Sequence, residues 1–213
     1  MNNSAWLNQL KKQRAIAVIR YQKIHIGWEM AKAVARGGIR LIEITWNSEK
    51  AAELIIRLRE ELPTCTIGAG TILNRDELQQ AMDIGCQFLF SPHTNLELIK
   101  TAEKAGVPMI PGALSPTEII TAWQSGATCV KVFPISAVGG ATYLKSLQGP
   151  LGQIPLIPTG GITTENAREF IAAGAVAVAL GGNLFPAEAI ATGNWEAIAR
   201  KTEYLLQQLQ QIS

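Results

Sequence analysis

Short runs of branched and apolar residues recur along the chain, separated by longer stretches whose apolar positions fall three or four apart. The runs are too short for helices and are bounded by Gly, Pro, Asn or Ser. They read as strands at residues 16–20, 41–46, 66–70, 88–91, 108–111, 129–133, 155–158 and 176–180. The intervening stretches, such as SEKAAELIIRLREEL from Ser48 and NRDELQQAMDIG from Asn74, carry the helical period. Several open on Asn, Ser or Thr followed by an acid, as helix N-termini do. Strand and helix therefore alternate along the chain. A faint repeat agrees: Gly38, Gly85, Gly106, Gly126 and Gly174 each stand shortly ahead of a strand, where a helix has to stop.

Few of these strands alternate apolar with polar residues, which is the pattern of a sheet covered on both faces. Eight such strands in 213 residues, with no linker-like segment, predict a single compact (β/α)8 TIM barrel over residues 1–213. The alternative is an open doubly wound sheet. It asks for G-x-G-x-x-G after an early strand, and the nearest match, GAGTIL, has Leu73 in place of the third glycine. The segment SAWLNQLKKQR, residues 4–14, is amphipathic at the helical period and is expected to close the lower end of the barrel.

Charge narrows the partners. Lys+Arg number 19 against 17 Asp+Glu, a net +2, and only KKQR at residues 11–14 is locally basic, so no nucleic-acid partner is expected. The most apolar run, FIAAGAVAVAL from Phe170, is too short and too rich in Gly and Ala to span a bilayer, and the first twenty residues hold no signal-peptide core. A cytoplasmic protein with no membrane partner is the expectation. Cys65, Cys86 and Cys129 lie far apart in or beside apolar segments, which suits reduced core thiols better than a disulfide framework or a metal site.

The chemistry starts from CVKVFP, where Lys131 interrupts a run that otherwise reads as a buried strand. Strand side chains alternate, so Cys129, Lys131 and Phe133 share one face; on the second strand Leu41, Glu43 and Thr45 share one face, while Ile42, Ile44 and Trp46 point to the helices. If both polar sets face inward, Glu43 and Lys131 meet inside the barrel. A buried lysine loses the hydration of its charged form, and the neutral amine is a nucleophile for ketones. A buried Lys–Glu ion pair kept for structure is the plainer alternative. Polar or glycine-rich tips follow six strands at the end where barrels build active sites: Arg20, Thr45 with Asn47, Thr71, His93, Gly160–Gly161 and Gly182–Asn183. The last two follow strands seven and eight, and main-chain N–H groups there can hold a phosphate. Arg20 offers a planar fork suited to a carboxylate, with a surface arginine as the alternative. His93, beside a proline turn, reads equally as a loop residue or a ligand contact, and His25 reads as structural or exposed.

These residues carry a resemblance. AVIR, GGIRLIEIT, IGAGTIL, FLFSPH, MIPGALSPTE, VKVFP, PTGGIT and ALGGNLF stand in the order and spacing of the class I 2-keto-3-deoxy-6-phosphogluconate (KDPG) and 4-hydroxy-2-oxoglutarate (KHG) aldolases, which the chain resembles nearly end to end, phosphogalactonate aldolases included. The resemblance implies a lyase that cleaves KDPG-type acids to pyruvate and glyceraldehyde 3-phosphate and extends to 4-hydroxy-2-oxoglutarate, giving pyruvate and glyoxylate. Phosphogalactonate as main substrate, or a sensor of phosphorylated sugar acids without catalysis, are the alternatives. It implies Lys131 as Schiff-base lysine, Glu43 as general acid/base, Thr71 at the pyruvoyl group, and Gly160, Gly161, Gly182 and Asn183 at the phosphate. It further implies a homotrimer with neither metal nor organic cofactor, whose partners are the phosphorylated keto acid and pyruvate. Phosphogluconate-cleaving members carry an arginine four residues after the glutamate, where this chain has Asn47; phosphogalactonate-type members share Asn-Ser there and an arginine at the end of strand one, so Arg20 and Asn47 are the candidates for the carboxylate. Asn183 replaces the usual serine of the last loop, and its amide still donates.

Overall fold

The computed structural model describes residues 3–211. Nine strand segments are present among them: β1 (Ala15–Ile19), β2 (Leu41–Thr45), β3 (Thr66–Gly70), β4 (Leu89–Phe90), β5 (Met109–Ile110), β6 (Gly112–Ala113), β7 (Val130–Val132), β8 (Leu156–Pro158) and β9 (Val178–Leu180). The helices are α1 (Asn3–Gln13), α2 (Ile24–Arg36), α3 (Ala51–Glu61), α4 (Arg75–Asp83), α5 (Leu96–Lys104), α6 (Pro116–Gln124), α7 (Gly140–Leu151), α8 (Ala167–Ala172), α9 (Ala187–Ala191) and α10 (Trp195–Gln210). All strand pairs are parallel, in the orders β5-β4-β3-β2-β1-β9 and β6-β7-β8. A bridge between Thr159 and Ala179 joins the β8 side to the β9 side. The wall is the (β/α)8 barrel that the alternation of elements predicts.

One strand needs correction. The fifth, expected at 108–111, runs on to Ala113 and is divided at Pro111, which has no N–H to give to a ladder. Met109 and Ile110 pair with β4 on one side, Gly112 and Ala113 with β7 on the other, and the Pro111 carbonyl still accepts from Lys131 N at 2.9 Å. Helix starts follow the expected chemistry at Asn74, Asn95 and Asn194, whose side chains accept main-chain N–H groups, and at Ser115, which forms a full capping box with Glu118. At α3 the expectation fails. That helix begins after Lys50 with no side-chain cap, because the Ser48 hydroxyl is engaged by Thr45 Oγ1 at 2.8 Å and by Tyr21 N at 3.3 Å. All five helix-stop glycines have positive φ.

Strand alternation sorts the core into two bodies. Ile42, Ile44, Val130 and Val132 face outward into the layer shared with the helices, among Leu54, Ile55, Leu58 and Leu144. Leu41, Cys129, Ile157 and Ala179 face inward with Phe88, Phe90 and Ile110. Helix α1 joins the inner body from below: Trp6 and Leu10 are fully buried, and the Trp6 and Phe88 rings lie 5.6 Å apart. Gln9 Oε1 accepts from Thr66 Oγ1 at 2.9 Å, which ties the plug to the start of β3. No described helix is long and apolar enough to cross a membrane. The three cysteines are buried and free, and burial pushes the Cys86 thiol up to about 12.

Candidate active site

The inward residues change character along the barrel axis. Below, the register holds Leu41, Cys129 and Ile157; one step toward the C-terminal ends it holds Glu43 on β2, Lys131 on β7 and, just past β8, Thr159. Glu43 is 1% exposed and Lys131 6%. Burial drives both toward their uncharged forms. The Glu43 carboxyl is raised above the ordinary carboxylate range chiefly by desolvation, partly offset by the positive charges of Lys131 and Arg20. The Lys131 amine is lowered from the ordinary lysine value, again chiefly by desolvation, with Glu43 pulling it up and Arg20 pushing it down. The two groups feel each other without forming an ion pair, and neither Glu43 oxygen has a hydrogen-bond partner in the protein. A structural ion pair is therefore not what occupies this position.

Aromatic rings frame the amine, with Lys131 Nζ 4.9 Å from the Phe133 ring centre and 5.7 Å from that of Phe90. Beneath Glu43 the neighbouring strand supplies glycine. A methyl group at Gly70 would overlap Glu43 Oε1 outright, so the bare backbone there is the surface on which the carboxyl lies.

At the mouth, Arg20 Nη2 donates to Thr71 Oγ1 at 3.3 Å, which brings two of the predicted residues together beside the pair. Thr71 holds φ of 59°, in the left-handed region that β-branched residues avoid; its side chain is thereby turned toward Arg20. Arg20 and Asn47 are both exposed, but Asn47 makes no such contact. Between Arg20 and Asn47, it is Arg20 that the fold places at the pair. Ser48 helps fix it, since its bond to Tyr21 N anchors the residue after Arg20 to the end of β2.

The two glycine-rich loops form one cavity of about 260 Å³, lined by Val18, Thr159, Gly160, Gly161, Gly182 and Asn183 among others. Gly160 and Gly161 have φ of 90° and 84°, and a Cβ on Gly161 would press to 2.6 Å from that of Ser136, so the turn requires glycine. Asn183 Oδ1 accepts from Thr164 N at 3.1 Å and links the loops, which leaves its NH2 group for the cavity. His93 is half-buried in a separate cavity of about 390 Å³ together with Gly112, Leu114, Glu118 and Phe133, and its carbonyl accepts from Ser91 Oγ at 2.7 Å. His25 is exposed on α2. Among the described residues, no group of three His, Cys, Asp or Glu is placed to hold a metal ion.

Sequence reading missed two residues here. Thr159 lines the cavity with a buried hydroxyl that has no protein partner, and the alternation Pro155, Ile157, Thr159 would have found it. Gly70 gave no comparable signal, because its role depends on the register between β2 and β3.

Comparison with known proteins identifies the family. The profile described as "Aldolase: KDPG and KHG aldolase" matches residues 7–201. The 2-dehydro-3-deoxy-phosphogluconate aldolase of Treponema pallidum is 35% identical over 198 residues, 93% of this chain and 94% of that protein. The KHG/KDPG aldolase of Escherichia coli K12 is 35% identical over 185 residues, 87% of each chain. The crystal structure of KDPG aldolase from Legionella pneumophila, with pyruvate captured as a covalent carbinolamine, superposes with a TM-score of 0.86 at 29% identity, covering 93% of this chain and 97% of that one. The chain belongs to the KDPG and KHG aldolase family of class I aldehyde-lyases.

Proposed function

We propose that the chain cleaves 2-keto-3-deoxy-6-phospho sugar acids to pyruvate and glyceraldehyde 3-phosphate through a Schiff base on Lys131. The observation that carries this reading is the buried amine held beside a carboxyl whose two oxygens are unengaged, at the mouth end of the barrel. Neutral Lys131 adds to the C2 ketone, and the carbinolamine hydroxyl leaves as water with a proton from the Glu43 carboxyl, so that a cationic iminium, which draws electrons from the C3–C4 bond, faces the Glu43 carboxylate. Glu43 takes the C4 hydroxyl proton as that bond breaks; the aldehyde leaves and an enamine remains. Returning the proton to C3 gives the pyruvate imine, and water releases pyruvate and the free amine.

Arg20 and Thr71 face the keto-acid half and supply the carboxylate contacts. Main-chain N–H groups of Gly161, Gly182 and Asn183, with the Asn183 amide, hold the phosphate without a basic side chain. The Thr159 hydroxyl lies between these ends and meets the middle of the substrate. The arginine on strand one, with Asn47 turned to solvent, favours the phosphogalactonate epimer as a second substrate, and relative cleavage rates on the two phosphosugar acids and on 4-hydroxy-2-oxoglutarate decide the order. The working form is a cytoplasmic homotrimer, for which Leu73, Leu96 and Ile120, all more than a third exposed, supply apolar surface.

Borohydride reduction in the presence of pyruvate tests the reading. The expected result is a stable adduct on the peptide containing Lys131. Tight binding of substrate with no adduct would instead identify a sensor.

A further inference from the structure

We infer that a trough leading sideways from the barrel mouth, between α2 and α9, takes the apolar tail of unphosphorylated 4-hydroxy-2-oxo acids and of the aliphatic aldehydes from which they form. The inference rests on the Lys131 reading for its chemistry and on separate observations for its site. The glycine cavity shares Val18, Gly181 and Gly182 with a second cavity of about 370 Å³, and that one shares Arg20, Met30 and Ile190 with a third of about 520 Å³. Val18 is the register neighbour of Glu43, so the connected space begins beside the reacting groups.

The lining changes on leaving the mouth. Met30 and Phe185 are buried walls, Ile26 and Ile190 are half-buried, and Ala187 and Ala191 form the outer rim. Arg20 and Lys23 are the charged residues along it, and no acid lines it. Such a surface accepts an acid whose head lies at Arg20 and whose tail is hydrocarbon. A phosphorylated tail ends in the glycine loops and leaves the trough unused. An unphosphorylated alkyl tail gains nothing from those loops and gains from each methylene it buries against Met30, Phe185 and Ile190.

In the synthetic direction the Lys131 enamine of pyruvate attacks the aldehyde carbon through its C3. The new C–C bond forms as the aldehyde oxygen takes a proton from the Glu43 carboxyl. Water then hydrolyses the iminium, releasing the 4-hydroxy-2-oxo acid and the neutral amine and returning a proton to the Glu43 carboxylate, and the step needs no other reactant.

The test is the rate of aldol addition of pyruvate to propanal, butanal, pentanal and hexanal, with glyceraldehyde 3-phosphate as reference. The expected result is a rise in kcat/KM of about two- to fourfold per methylene. Ala187→Trp, which fills the rim, and Ile190→Glu, which charges the wall, should flatten that rise and leave the reference rate within about twofold. No rise in the wild type, or a rise that both variants retain, overturns the inference. Calorimetric titration with 2-hydroxyoctanoate, which cannot form an imine, separates site from chemistry. Weaker binding by both variants supports the trough even if borohydride trapping fails, and equal binding by all three proteins overturns it even if trapping succeeds.

Discussion

The floor and the mouth of this barrel are built by one rule and serve opposite ends. In both, alternate strand residues turn inward and lose water. At the floor they are Leu41, Phe88, Cys129 and Ile157, sealed by Trp6 and Leu10 from α1, and the packed surface is almost wholly apolar. One step up the same strands they are Glu43 and Lys131, also buried, and neither oxygen of the Glu43 carboxyl has a hydrogen-bond partner in the protein. Burial at the floor is favourable, at roughly 25 cal/mol per Å² of apolar surface. At the mouth it is a cost, visible in a carboxyl pushed up and an amine pushed down. The floor thus offsets the cost of holding a reactive pair away from water, and substitutions at the two levels should separate stability from chemistry.

The largest separation is expected at Lys131. Lys131→Met keeps the length of the side chain and removes the nucleophile, so cleavage should fall by at least about 10⁴-fold and pyruvate trapping should vanish. The melting temperature should hold or rise, because a buried amine is replaced by a thioether. Near-normal turnover in this variant would remove the Schiff-base scheme. Trp6→Ala is its mirror image. The indole is fully buried against Phe88, and its loss should cost about 3–5 kcal/mol in denaturant unfolding, with kcat of the folded protein unchanged within about twofold. A fall in kcat as large as the fall in stability would mean that floor and mouth are one unit.

Gly70→Ala is smaller and more discriminating. The added methyl competes for the space of Glu43 Oε1, and displacing a proton-transfer group by about 1 Å costs on the order of 10²-fold in turnover. Lys131 is untouched, so borohydride should still capture pyruvate. Glu43→Asp in the Gly70→Ala background shortens the acid and should recover part of the loss. Equal loss of trapping and turnover would point to general damage instead.

How much of this was legible follows from which interactions are local. The period of two put Glu43 on one face with Leu41 and Lys131 on one face with Cys129, because alternation needs only the strand itself, and the barrel turns those faces inward. Helix stops and three asparagine caps were legible for the same reason. The division of the fifth strand was not, since Pro111 ends pairing with one neighbour and begins it with another, and neighbours are not written in the chain. Gly70 lay beyond reach because it acts across a register, and the trough because α2 and α9 are far apart in sequence. Thr159 could have been found, but glycines after it drew the reading toward a turn.

The finest comparison is within the mouth, between the two charges that act on Lys131 in opposite directions. Glu43 stabilises the ammonium form and Arg20 destabilises it, with burial the larger cause of the lowered value. The neutral amine forms the imine, so trapping of pyruvate rises with pH through the Lys131 transition. Removing the carboxylate in Glu43→Gln takes away the influence that holds the proton, and the rising limb should move to lower pH. Removing the guanidinium in Arg20→Leu does the reverse and should move it to higher pH, while also raising the pyruvate concentration needed for half-saturation. Trapping rates across pH at saturating pyruvate check both signs in one experiment. An unmoved limb in both variants would mean that burial alone sets the amine, and that Arg20 acts on the substrate carboxylate and not on the nucleophile.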